Sequence, residues 1–222
     1  MARKFVMPCL TALVALVALF AVCPAARGED GHAVGQRPAR ASDVYVRPVD
    51  ALTGEPLGEK PVVVQHEGRE LRFANQANAD AFKADPAEAL KKLDVAIAAE
   101  QVPTYPLKTC VISGEELGAM GKPVDVVVGN RLFRLCCAGC VGRLQKDPKP
   151  AFEKLNAAVV EQQKPAYPLK GCLVMDEDKL DDKSVDYVVA NRLVRFCCNE
   201  CVESFEKEPL KYLPKLDAAE KK

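Results

Sequence analysis

Eight of the ten cysteines fall into two equal sets: Cys110, Cys136, Cys137 and Cys140, then Cys172, Cys197, Cys198 and Cys201. In each set two adjacent cysteines close an apolar run and a third follows at once, as Cys136-Cys137-Ala-Gly-Cys140 and Cys197-Cys198-Asn-Glu-Cys201. A helix starting near Cys137 puts residues three and four apart on one side of its first turn, where their thiols converge. Free N–H groups and the positive end of the helix dipole favour thiolate over thiol, which ligation and nucleophilic attack both need. Cys110 and Cys172, arriving from loops upstream, complete sites of three or four sulfurs that suit Zn(II) or Cu(I).

The elements that must position these thiols occur in tandem. Tyr105-Pro-Leu-Lys-Thr-Cys110 recurs as Tyr167-Pro-Leu-Lys-Gly-Cys172, and Asn130-Arg-Leu-Phe-Arg-Leu recurs as Asn191-Arg-Leu-Val-Arg-Phe. An earlier stretch, Glu67-Gly-Arg-Glu-Leu-Arg-Phe73, fits the same plan with Ala74, Asn75 and Asn78 at the clustered cysteine positions. Self-similarity at such a period marks a repeat architecture. The repeats therefore span 44–100, 105–160 and 167–217, and the first is free of cysteine.

Within each repeat, Val62-Val-Val, Val126-Val-Val or Tyr187-Val-Val leads to a turn at Glu67-Gly68, Gly129-Asn130 or Ala190-Asn191 and then a second apolar run. That pattern predicts a β-hairpin. A short helix follows over 140–146 and 201–207. Asp147-Pro148 and Asp85-Pro86 then start a longer one, with Asp as cap, Pro in the first turn, and Phe152, Leu155 and Val159, or Leu90, Leu93 and Ile97, on one face. Asn75 is placed to cap the short helix of repeat one. Pro214 falls within the last helix and should shorten or kink it. Proline-containing linkers near 101–104 and 162–166 separate the units. His66 reads as a turn-adjacent surface residue, His32 as solvated, and Met175, beside Leu173 and Val174, as packing, with soft ligation the alternative.

The ends and composition bound the rest. Arg3 and Lys4, the apolar run Leu10 to Val22 and the small residues around Ala26 predict a signal peptide over 1–28, followed by a flexible leader over 29–43. That run is 13 residues, short of the roughly 20 that span a bilayer, so the expectation is export to the periplasm or exterior without a membrane anchor. Cleavage leaves 28 bases against 31 acids and no basic stripe, which argues against nucleic acid.

The cysteine stretches carry a resemblance. Phe196-Cys197-Cys198-Asn-Glu-Cys201-Val-Glu-Ser-Phe205, followed by Pro209 and Tyr212, resembles the YHS domain signature, and is similar to the related TRASH domain, which adds one upstream cysteine. Cys110 and Cys172 match that cysteine, and Cys136/Cys140 and Cys197/Cys201 match the downstream pair. The resemblance implies an α+β chain of three tandem, treble-clef-like ββα modules that binds heavy metals for sensing, trafficking or resistance. Ser113 and Met175 stand where a treble-clef knuckle usually offers a second cysteine. Cys137 and Cys198 stand where serine is common, as extra ligands or bystanders.

Two other readings of the same residues stay open. Exported cysteines commonly form disulfides, and Cys110 to Cys136 or Cys140 is feasible. Cys137-Ala-Gly-Cys140 and Cys198-Asn-Glu-Cys201 are also C-x-x-C pairs of the kind thiol-disulfide oxidoreductases use, although no βαβ pattern surrounds them. No Ser/His/Asp set or phosphate loop is visible, so the expectation is a non-enzymatic metal binder whose first repeat docks another exported protein or acts as a spacer.

Overall fold

The β-branched runs pair with the runs that follow them, and the helices then close over one face of each pair. In this computed structural model, which describes residues 41–221, three separate antiparallel hairpins form. They are Val62–His66 (β1) with Arg69–Phe73 (β2), Val124–Val128 (β3) with Arg131–Leu135 (β4), and Val185–Val189 (β5) with Arg192–Phe196 (β6). The register is the same in all three: Val62 opposes Phe73, Val124 opposes Leu135 and Val185 opposes Phe196. Their turns hold both residues at positive φ, Glu67/Gly68, Gly129/Asn130 and Ala190/Asn191, the backbone that matches strand twist in two-residue hairpins. Gly129 is needed twice over, since a Cβ there would lie 2.4 Å from the Ser42 Cα. The segment read as a signal peptide, most of the leader, His32, Cys9 and Cys23 lie outside the described residues.

A short and a long helix follow each hairpin: Gln76–Ala84 (α1) and Pro86–Gln101 (α2), Gly139–Lys146 (α3) and Lys149–Gln163 (α4), Asn199–Lys207 (α5) and Pro209–Glu220 (α6). The chain is thus α+β, as expected. Several boundaries differ from expectation. Asp147 ends α3, Pro148 caps α4, and Asp85 caps α2 without a side-chain bond. The helix-start signal lies in the proline, whose fixed φ needs no carboxylate partner. Helix α6 continues on both sides of Pro214, and its Leu213 and Leu216 are buried; their packing holds the helix across the missing hydrogen bond.

Each repeat has its own core, built around an aromatic pair. Phe73 and Phe82 lie 5.3 Å apart, Phe133 and Phe152 4.9 Å, and Phe196 and Phe205 5.4 Å between ring centroids. Such contacts add about 0.5–1.5 kcal/mol each to the area they bury. Phe152, Leu155 and Val159 are all buried on α4 as their spacing requires. On α2 Leu93 and Ile97 are buried while Leu90 is only half-buried. His66 stands directly before the Glu67/Gly68 turn and is half-buried, its ring edge-on to Phe82 at 5.2 Å.

The repeats interlock through one device used twice. The last residue of α2, Gln101, donates to the Asn130 carbonyl and accepts from the Leu132 N–H; Gln163, at the end of α4, does the same with Asn191 and Leu193. Each glutamine thereby satisfies the turn backbone of the next hairpin. The stretches read as linkers are therefore structural joints, capped by 3-10 turns at Val102–Thr104 and Lys164–Ala166. Arg72 closes repeat one onto repeat three by donating to the carbonyls of Glu206 and Lys207. Asp43, the last residue assigned to the leader, is buried, and it pairs with buried Arg131 at 2.6 Å. Among the described residues no helix is long and apolar enough to cross a membrane.

Candidate metal centres

A backbone knuckle delivers the upstream cysteine of each site. In repeat two Thr109 bridges Glu116, the Cys110 N–H donates to the Glu115 carbonyl, and Gly114, at positive φ, closes the turn by donating to the Cys110 carbonyl at 2.8 Å. Repeat three makes the same knuckle one residue longer: Gly171 bridges Lys179 and the Cys172 N–H reaches the Asp178 carbonyl. A Cβ on Gly171 would sit 2.5 Å from the Asp176 carbonyl oxygen, which is why Thr109 has no counterpart there. Tyr105 and Tyr167 pin the segments leading into the knuckles by accepting the Arg134 and Arg195 N–H groups at 3.2 and 3.1 Å.

The knuckles bring Cys110 to Cys136 and Cys140, and Cys172 to Cys197 and Cys201, with the sulfurs of each trio all within 4.8 Å of one another. Cys136 and Cys140 lie 3.8 Å apart and Cys197 and Cys201 3.6 Å. A tetrahedral ion with Zn–S bonds of about 2.3 Å holds its sulfurs about 3.8 Å apart, so the edge length matches one ion and exceeds the roughly 2.05 Å of a disulfide. All eight described cysteines are free thiols. The helices start close to the expected 140 and 201, at Gly139 and Asn199, but not as early as Cys137, and Cys198 is the cap of α5. Convergence therefore comes from the strand end and the cap turn, with only Cys140 and Cys201 on the helices.

Cys137 and Cys198 stand apart from the trios. Each sulfur lies 3.8 Å from its neighbour, Cys136 or Cys197, yet neither belongs to the compact group, and both are partly open to solvent. Two further side chains reach the clusters. The Ser113 hydroxyl, at the position expected to lack a ligand, is 3.3 Å from the Cys136 sulfur, and Cys197 donates to an Asp178 carboxylate oxygen at 3.4 Å. Sequence reasoning missed Asp178, because the extra knuckle residue moves it out of register with repeat two. Met175 is 53% exposed, so packing was the wrong reading of its side chain; what it supplies is a backbone N–H to the Cys172 sulfur.

The backbone also sets the charge. Burial opposes ionisation of Cys110, but the Ser113 hydroxyl and the N–H groups of Cys136, Ser113 and Ile112 outweigh it and bring the thiol down to about 6. Burial likewise opposes ionisation of Cys172, which the N–H groups of Met175, Cys197 and Val174 nevertheless hold below the usual range. Burial pushes Cys140 and Cys201 up to about 12, and Cys197 higher still. Each trio thus joins a thiol held low, Cys110 or Cys172, to one or two pushed up by burial, Cys140 or Cys197 and Cys201, and binding an ion displaces protons. Because Cys110 ionises more easily folded than unfolded, its contribution to stability is full above the unfolded thiol's range and is lost as pH falls through about 6. The ultraviolet thiolate band of the reduced, metal-free protein is expected to persist at pH 7 and fade below about pH 6, with repeat two's share absent from Cys110→Ser. A band appearing only above pH 8 would contradict this.

Repeat one holds the same nest with another occupant. Val49 bridges Pro56, the Asp50 N–H donates to the Glu55 carbonyl, and Gly54 closes the turn, so Asp50 stands where Cys110 and Cys172 stand. Its buried carboxylate accepts from Leu52, Thr53 and Ala74 N–H and from the Asn78 side chain, at 2.6–3.0 Å. These donors are the counterparts of Ile112, Ser113, Cys136 and Cys140. The sequence carries the signal in Tyr45-x4-Asp50-x3-Gly54 beside Tyr105-x4-Cys110-x3-Gly114. Burial again opposes charge, and the four donors hold the Asp50 carboxyl below the usual carboxylate range.

A separate cavity of about 730 Å³ lies where the repeats meet, lined among others by Tyr45, Ile97, Gln163, Tyr167 and Asn191 and bordered by no cysteine. The thiol chemistry is therefore elsewhere, at the knuckles. Comparison with family models, with curated proteins and with solved structures finds no match. The two buried cysteine clusters remain what the chain offers, and either could hold a metal ion.

Proposed function

We propose that this chain is an exported, non-enzymatic metal-binding protein in which Cys110, Cys136 and Cys140, and Cys172, Cys197 and Cys201, each bind one Zn(II) or Cu(I), for metal trafficking, sensing or resistance. The observation that carries the reading is the thiol trio, its sulfurs all within 4.8 Å and one edge of each at 3.8 or 3.6 Å, built on a nest that repeat one fills with a carboxylate. Repeat one keeps the hairpin and helices with the Asp50 carboxylate network in place of thiols, so the scaffold does not itself require sulfur at these positions. The upstream cysteine and the Cys-x3-Cys pair agree with a YHS/TRASH-like, treble-clef-like module. Asp178 supplies a carboxylate oxygen beside Cys197, which suits Zn(II) as a fourth partner, Ser113 supplies a hydroxyl that hydrogen-bonds the sulfurs of repeat two, and three thiolates suffice for Cu(I).

The test is to purify the protein from its own compartment and count bound metal and free thiols together. About two ions per chain are expected, one lost with Cys140→Ser and the other with Cys201→Ser. No metal and no free thiols would replace this reading with structural disulfides. A second reading, thiol-disulfide exchange, is favoured by one observation: neighbouring thiol and backbone hydrogen bonds lower the Cys137 thiol while burial raises its C-x-x-C partner Cys140. Catalysed reduction of a disulfide substrate by the metal-free chain would support it.

A further inference from the structure

We propose that Cys137 and Cys198 are the exchange thiols of the two sites, taking the ion from an incoming metal donor or passing it to an acceptor, while the buried trios hold it. The proposal deepens the metal-binding reading above and rests on it. In repeat two the three trio thiols are 0–4% exposed, so an ion among them has little direct access to a partner. Cys137, partly open and 3.8 Å from Cys136, is the sulfur a partner's ligand meets first; Cys198 occupies the same place in repeat three, where Cys197 is also partly open and shares the approach with it.

The bland role for this position is helix capping, and repeat one shows what that role selects. Asn75 occupies it with φ −155° and ψ 171°, and its side chain accepts the Asn78 N–H at 2.9 Å; Cys198 has φ −153° and ψ 171° and makes no side-chain cap bond. Asparagine is among the best caps, and cysteine is not among the residues preferred there. Cysteine holds the position aligned with Asn75 in both thiol repeats, as the cap of α5 and one residue before the Ala138 cap of α3, while the repeat lacking thiols holds asparagine, and this points to sulfur chemistry at that position.

The step is ligand exchange without electron transfer. The Cys137 sulfur bonds the ion and gives its proton to water as one donor–metal bond breaks. Cys136, within van der Waals range of Cys137, then bonds the ion from the buried side, Cys110 and Cys140 follow as the remaining donor–metal bonds break, the protons of the thiols that bind pass to water, and Cys137 leaves the ion and takes a proton back as the trio closes. Release runs in reverse, with an acceptor bearing thiolate or imidazole ligands entering at Cys137.

The experiment uses the mature chain loaded with Zn(II) alone, its transfer to a chromophoric chelator followed in stopped flow, and Cys137→Asn with Cys198→Asn as the variant. Asparagine is the residue repeat one carries at this position, where it caps α1, and circular dichroism checks that the variant folds. The variant is expected to keep two ions and an affinity within about tenfold, while loading and transfer slow by about tenfold or more. Transfer as fast as in the unmodified chain would overturn the proposal and leave capping as the role. Loss of an ion per site would overturn it in favour of permanent ligation. An unmodified chain that takes up no Zn(II) would overturn it together with the reading it rests on, whereas unaltered transfer leaves that reading standing.

Discussion

A third metal ion is the expected result of replacing the carboxylate network of repeat one with thiols, as Asp50→Cys, Ala74→Cys and Asn78→Cys together. Asp50 sits on the same bridge and knuckle as Cys110 and Cys172, its carboxylate is met by the Ala74 N–H at 2.6 Å, and the Asn78 side chain reaches it at 2.8 Å. The three positions are thus already converged on one point, and the nest of N–H groups is already built for an anion. Asp50→Cys alone is expected to destabilise the chain, since each donor left poorly matched costs about 1–3 kcal/mol. In the triple variant Zn(II) restores the loss with excess, because a structural thiolate site contributes on the order of 10 kcal/mol at neutral pH. Metal counting by mass under native conditions reads the outcome directly. A triple variant that still binds two ions, while folded, would show that the repeat-one nest does not share the geometry of the thiol sites. Asn75 stays in place in this variant, so the grafted site lacks the exchange thiol and should load more slowly than the natural two.

Asp43→Ala is the second large effect. Both Asp43 and Arg131 are almost wholly buried, and Arg131 also donates to Asn156 and to the Val188 carbonyl, with its guanidinium over the Phe152 ring at 5.0 Å. Asp43 in turn accepts the Ala190 N–H at 2.7 Å and donates its own N–H to the Gly129 carbonyl at 2.6 Å. One carboxylate therefore joins the segment before repeat one to the hairpins of repeats two and three. Removing it strands a buried guanidinium, which costs about 3–5 kcal/mol. At about 2–4 °C per kcal/mol for a chain of this size, the melting midpoint falls by roughly 6–20 °C. Replacing both partners, as Asp43→Asn with Arg131→Met, should cost less, because no uncompensated charge is left. A change for Asp43→Ala within about 0.5 kcal/mol, the range of surface substitutions, would refute the assignment.

Much of the scaffold was legible from residue types alone. The hairpin turns were readable because Gly129-Asn130 and its counterparts accept positive φ, and the Asn75 cap because asparagine accepts a bond from the N–H three residues on. The trios were readable in identity, since thiols are rare and their spacing repeats. The misreadings concern side chains whose surroundings were not legible from residue type, whether set by distant chain or by the local length of a turn. Gln101 looked like linker and is a joint, because the Asn130 turn that it satisfies belongs to the next repeat. Met175 looked apolar and packed, but the longer knuckle turns it out to solvent.

The sequence by itself determined three copies of one α+β plan, the strands and turns of each, and which two copies carry thiols, because these follow from local propensity and periodicity. Only the tertiary structure decided that Cys137 and Cys198 stay outside the trios, that Ser113 and Asp178 stand beside the sulfurs, and that Asp50 fills the same nest in repeat one. The physical reason is that ligand geometry is fixed by where a knuckle docks against a strand end and a helix start. That docking depends on cores and hydrogen bonds between segments far apart in the chain, which spacing along the sequence does not record.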